Sequence, residues 1–144
     1  MAIEIPGTHF VGEVAQKIIL EKEGKILLCQ DKVDTEAGKW DLPGGRLHKE
    51  EKPADGLKRE IQEEFGVGIE IVRPLYTGAI EKSFFGDLPR FLVFYEVRLK
   101  DPNAKFVLPE DEMVSVRWVG KDEIDDLPIW GVLKDVIKKY FERD

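Results

Sequence analysis

The sequence predicts an α/β sandwich, and three observations carry that prediction. Apolar runs of strand length stand before and after one amphipathic helical segment. A second amphipathic segment closes the chain over residues 130–141. The chain has 144 residues, 42% of them hydrophobic, which suits one domain over residues 1–144 with a substantial core. Strands on both sides of a helix, with a further helix to cover them, bury their apolar faces most simply in layers.

The elements follow in order. Residues 14–20 and 25–30 are apolar runs parted by Glu23-Gly24, a hairpin-like break. The second run reads KILLCQ and contains Cys29, the only cysteine. Residues 31–39 are polar and loop-like, and residues 40–43 lead into the pair Gly44-Gly45. A helix then starts near Pro53, whose missing N–H costs nothing in a first turn. It ends at Gly66, suited to a left-handed closing residue. Ala54, Leu57, Ile61 and Phe65 recur at helical spacing as the apolar face. Gly56 lies inside this helix, where it costs about 1 kcal/mol against Ala, and a close approach by another backbone would account for it. Residues 68–72, 75–80, 91–99 and 114–119 read as further strands, with a loop over 81–90. In the closing helix, Trp130, Leu133, Val136, Ile137, Tyr140 and Phe141 fall at core spacing. No internal repeat, low-complexity tract or second-domain linker interrupts the chain.

The chemistry concentrates in residues 45–67, GRLHKEEKPADGLKREIQEEFGV. Here Gly45, Glu51 and the run from Arg59 to Val67 form the pattern G-x5-E-x7-R-E-U-x-E-E-x-G-U, with U a bulky aliphatic residue. Glu60, Glu63 and Glu64 stand at i, i+3 and i+4, so their side chains lie about 5–6 Å apart on one helix sector. That sector neighbours the apolar face and is mostly solvent-facing. Three crowded carboxylates repel one another unless a cation sits among them. A Glu-rich helix face is commonly just solvated, and Arg59 with Glu63 is a familiar surface pair. The complete pattern is different, since a chance match in a chain of this size falls below roughly one in a million.

This segment resembles the Nudix box, the signature of the Nudix hydrolases, at every defined position. The similarity to one Nudix domain extends over roughly residues 10–142. The resemblance implies a mixed sheet between helices, with the box forming loop, helix and loop. It also implies hydrolysis of a nucleoside diphosphate linked to another group, with magnesium or manganese required. Glu63 and Glu64 are the foremost metal-ligand candidates, because magnesium suits one or two carboxylates plus water and phosphate. Glu60, one turn before Glu64, is a candidate for a second metal or for activating water. Gly44 matches the position whose backbone carbonyl ligates metal in the family. Arg59 and Glu51 are implied to form an ion pair that orients the glutamates. A further carboxylate is implied from a distant loop, and Glu110 or Glu112 stands in a fitting place, as ligand, base or plain acidic surface. Arg46 can reach phosphate or remain solvated, and Trp40 can stack a base or pack in the core. His9 and His48 lack metal-ligand spacing and read as surface residues.

Charge and composition bound the partners. The net charge of −7 disfavours general nucleic-acid binding. It also makes cations a natural bridge to an anionic small-molecule substrate. No apolar run approaches the roughly 18 residues needed to span a bilayer. The start MAIEIPGTHF has no secretory pattern, and a single cysteine makes no internal disulfide, so a cytoplasmic setting is expected. The sequence also allows a homodimer. For the substrate, no SQPWPFPQS-like or LLTxR-like stretch is present, Phe84 and Phe85 stand where a downstream tyrosine is often placed, and Asn103 is the only asparagine. These features leave nucleoside triphosphates, nucleotide sugars and related compounds open. Two readings from different classes stand. One is a metal-dependent pyrophosphohydrolase. The other is a non-catalytic nucleotide-sensing or partner-binding Nudix domain, which tends to lose the box glutamates kept here. A prenyl diphosphate isomerase would need cysteine and glutamate catalysts, for which Cys29 alone is thin support.

Overall fold

A computed structural model describes Gly7 and residues 9–31, 38–80, 88–109 and 113–143. Within these residues the chain runs β1 (Glu13–Lys22), β2 (Lys25–Asp31), β3 (Gly44–Arg46), α1 (Pro53–Phe65), β4 (Ile69–Ile80), β5 (Arg90–Leu99) and β6 (Met113–Gly120). A 3-10 helix (Lys121–Asp126) and α2 (Gly131–Glu142) follow. The strands join in the order β4-β5-β1-β2-β6, with the short β3 beside β1. β1 runs parallel to β5 and antiparallel to β2 and β3, so the sheet is mixed. The expected α/β/α sandwich is the architecture found.

Alternation along β1 sets the two layers. Ala15 and Ile19 enter one core with Leu92, Phe94 and the α2 residues Leu133, Val136, Ile137 and Tyr140. Ile18 and Leu20 enter the other with Val97 and the α1 residues Leu57, Ile61 and Phe65. Successive strand residues face opposite sides, so one strand serves both cores. Full burial of side chains such as Phe65, Ile61 and Phe94 contributes about 1.5–3 kcal/mol each.

Local signals decide the element ends. The β1–β2 hairpin turns on Glu23 and Gly24, both at positive φ (53° and 80°), as a tight two-residue turn requires. Helix α1 begins at Pro53 and closes on Gly66 at φ 68°, whose N–H donates to the Gln62 carbonyl at 3.0 Å. Two differences from the sequence expectation have physical causes. Residues 69–80 form one strand instead of two, because β4 ends the strand order and tolerates Pro74 through irregular register on both sides. The apolar face of α1 is Leu57, Ile61 and Phe65 without Ala54, which is exposed in the first turn.

Gly56 is explained by a side chain and not by the backbone approach expected. A Cβ there would lie 2.7 Å from the Glu51 carboxyl carbon. Gln16, the one buried polar side chain among the described residues, donates from Nε2 to the Pro53 carbonyl at 2.9 Å. It thereby ties the central strand to the entrance of α1.

Candidate active site

A cavity of about 500 Å³ opens where β1, β3 and α1 meet. Its floor includes Glu13, Ala15 and Lys17, every second residue of β1. These lie on the α2-side face of the sheet, whereas α1 packs on the other face. Glu60 and Glu64 of α1 nevertheless line the same cavity. The glycine pair of β3 makes this possible. A Cβ on Gly45 would lie 2.7 Å from the Glu60 carboxyl carbon. A Cβ on Gly44 would lie 1.9 Å from the Gln16 carbonyl oxygen, and its φ of 148° is one that side-chain-bearing residues rarely adopt. Glycine at 44 lets β3 close on β1, and glycine at 45 leaves room for a carboxylate.

Arg59 organises the glutamates. Its Nε donates to Glu51 Oε2 at 2.6 Å and its Nη2 to Glu51 Oε1 at 3.1 Å, a two-pronged pair. Nη2 also donates to Glu60 Oε1 at 3.2 Å, and Nη1 to Glu63 Oε2 at 3.1 Å. One guanidinium thus touches three carboxylates and relieves the repulsion inherent in their spacing. Glu51 further accepts from the His48 backbone N–H at 3.2 Å, pinning the loop before α1. The Arg59 guanidinium, reinforced by that N–H, holds the Glu51 carboxyl down to about 2.

That shift makes an acid-stability prediction. A carboxylate whose pKa is lowered by folding stabilises the fold above its unfolded value, about 4.3. The contribution is lost as pH falls towards the folded value of about 2. Wild type should therefore lose more melting temperature than Glu51→Gln as pH falls from about 4.5 to about 2.5, so that the gap between them narrows. Thermal melts across that range check it, and a constant gap would contradict the pairing.

The three box glutamates do not share one environment. Glu60 is 15% exposed and faces the cavity, although its helix sector reads as solvent-facing in the sequence. Glu64 also lines the cavity. Glu63 is 59% exposed and does not line it. Arg46 and Gly44 line the cavity, as does His48, whose Nε2 lies 3.9 Å from Glu60 Oε1. Trp40 packs against the α2-side core instead, bridged to Ile129. His9 is exposed. Glu110, Glu112, Phe84 and Phe85 lie outside the described residues.

Sequence reasoning missed four charged cavity residues: Glu13, Lys17, Asp41 and Arg90. Lys17 and Asp41 form a pair at 3.0 Å in which Lys17 is only 12% exposed. Burial, the largest influence, lowers the Lys17 pKa, but the surrounding negative charges, Asp41 foremost, together hold it above its usual value. The other Asp41 oxygen, Oδ1, is buried and has no hydrogen-bond partner among the described residues. The available signal was a lysine inside an otherwise apolar strand run, since a buried ammonium requires a partner.

The NUDIX domain model matches residues 14–140. The chain belongs to the Nudix hydrolase family. Its Nudix relatives include the CTP pyrophosphohydrolase of Escherichia coli (strain K12), 40% identical over 112 residues, which are 77% of this chain and 78% of that one. A MutT-like protein of Streptomyces ambofaciens is 29% identical over 109 residues, 76% of this chain, and the match spans only 64% of its own length. In structure the chain is similar to the MutT protein of Methanosarcina mazei Go1, with a TM-score of 0.75 and 21% identity over 91% of this chain and 93% of that one. At that identity the likeness concerns the Nudix fold alone.

Proposed function

We propose that this Nudix domain hydrolyses a pyrophosphate linkage in a nucleoside diphosphate derivative, with a divalent cation, magnesium or manganese, as cofactor. The observation that carries the reading is the meeting of Glu60 and Glu64 in one cavity with the Gly44-Gly45 backbone. Among the described residues no three acidic, imidazole or thiol side chains converge as a ready-made cation cage. Magnesium does not ask for one, since it keeps several waters and takes one or two carboxylates plus substrate phosphate. The donor set fits: two carboxylates, the Gly44 carbonyl, and a bare Gly45 against which the Glu60 carboxylate sits. Glu60, Glu64 and Gly44 would hold the cation, with Glu63 at the exposed margin and Glu112 a further candidate. When bound, it would neutralise phosphate charge and lower the pKa of water.

The protein's own groups do the rest. Arg59 fixes Glu60 through Nη2 and is itself fixed by the fork to Glu51, so the carboxylate is oriented before substrate arrives. Lys17, paired with Asp41, brings an ammonium to the cavity floor, where it partly offsets the negative charge that an anionic substrate meets. Among the described residues no hydroxyl or thiol side chain lines the cavity, which supports direct attack of water on phosphorus without a covalent intermediate. The name of the Escherichia coli relative supports a nucleoside triphosphate as one substrate class, alongside nucleotide sugars. The buried position of Cys29, the only cysteine, accords with a reducing, cytoplasmic setting. Among the described residues no helix is long and apolar enough to cross a membrane.

The test is a panel of nucleoside triphosphates and nucleotide sugars incubated with magnesium in oxygen-18 water. One label is expected on a single phosphorus of the products and none on the protein. A trapped phospho- or nucleotidyl-enzyme would overturn direct attack. No hydrolysis across the panel, with nucleotide binding retained, would favour the nucleotide-sensing alternative.

A further inference from the structure

The cavity has a second charged end that the hydrolytic scheme does not use. Arg90 begins β5 opposite Glu13, and Arg46 ends β3 opposite Ala15. Glu13 is held between them. Arg46 Nη1 donates to Glu13 Oε2 at 2.9 Å, and Arg90 Nη2 donates to Glu13 Oε1 at 3.3 Å. Two guanidinium charges therefore share one carboxylate, which leaves this corner net positive in an acidic protein.

The arrangement is also short of acceptors. Arg90 is 17% exposed, and its Nε–H is buried with no acceptor among the described residues. A guanidinium is a rigid fork suited to two parallel hydrogen bonds with one oxyanion. Among the described residues Arg90 makes one side-chain hydrogen bond, that to Glu13 at 3.3 Å. A buried donor without an acceptor is unfavourable, and Arg90 is one of the residues that line the open cavity. Arg46 lines the same cavity from its rim and is mostly exposed.

We propose that Arg90 and Arg46 form an anion-binding subsite for a phosphoryl group, and that Glu13 occupies it as a stand-in until substrate displaces it. Naming the anion as phosphoryl rests on the hydrolytic reading above. The box carboxylates deal with charge at the scissile linkage, whereas this subsite deals with charge beyond it. Substrates bearing a further phosphoryl group, such as nucleoside triphosphates, are favoured over nucleotide sugars whose sugar is uncharged. The hydrogen bond from Arg46 is foremost in keeping the Glu13 carboxyl below its usual range, so the stand-in is an anion itself.

Inorganic pyrophosphate in excess EDTA is the probe, because no divalent cation then contributes. Calorimetry should show binding by the wild-type protein. Arg90→Gln should weaken it by about tenfold or more, the loss of a two-pronged charge-assisted contact. Arg46→Gln should weaken it by less, and Glu13→Gln should tighten it by about threefold to tenfold as the competing carboxylate goes. If Arg90→Gln fails to fold by circular dichroism, the exposed Arg46→Gln and Glu13→Gln carry the test in opposite directions. Equal affinity in these two and wild type, or no binding by any of them, overturns the subsite. Magnesium-dependent hydrolysis by the wild type is scored separately. Hydrolysis with unchanged pyrophosphate affinities removes the subsite alone. The expected affinity changes without hydrolysis of any nucleotide remove the hydrolytic reading alone.

Discussion

Excess EDTA is expected to lower turnover by at least about 1000-fold, since a cation supplies several kcal/mol of transition-state charge stabilisation. The structure gives the reason. Glu60 and Glu64 place negative charge where an anionic substrate must bind, and Lys17 is already engaged by Asp41. Without a cation, phosphate meets carboxylate. Magnesium or manganese should restore activity, and calorimetry should show metal binding strengthened by a nucleoside diphosphate. Undiminished turnover in EDTA would sink the metal mechanism.

Glu64→Gln is expected to reduce kcat by at least about 100-fold, because the change keeps shape and removes the charge of a proposed ligand. The fold should persist. Glu64 is a partly exposed residue on α1, away from the buried anchors Leu57, Ile61 and Phe65. Removing its charge relieves repulsion from neighbouring carboxylates and also removes attraction to the buried Lys17 ammonium, so a small change in melting temperature is expected. Steady-state kinetics with parallel thermal melts check both halves. Near-wild-type turnover would assign Glu64 to the solvated surface. An unfolded variant would show that its carboxylate serves structure.

Much of the fold was legible because hydrophobic periodicity is local. The runs in β1 and β2, the turn at Glu23-Gly24, and α1 between Pro53 and Gly66 all follow from neighbours within one or two turns of chain. β3 was not legible, because Gly44-Gly45-Arg46 has no side-chain pattern and becomes a strand only by pairing with Ala15, Gln16 and Lys17. The box glutamates were equally plain as a motif, but their separation into cavity-facing Glu60 and Glu64 and exposed Glu63 was not. That division depends on which side of α1 the bare β3 glycines approach. Glu13, Lys17, Asp41 and Arg90 come from distant segments brought together by strand register. Only the isolated lysine hinted at them.

Strand β1 makes register a form of quality control. Its residues Glu13, Ala15 and Lys17 floor the cavity, while Ile18 and Leu20 fill the α1-side core and Gln16 clasps the entrance of that helix. A slip of one residue would turn every side chain to the opposite face. Lys17 would then face the apolar core on the α1 side, and Ile18 would face the cavity. The same error would remove the clasp, the core and the substrate floor together. A misregistered chain would therefore fail to fold before it could persist as a stable but inactive protein.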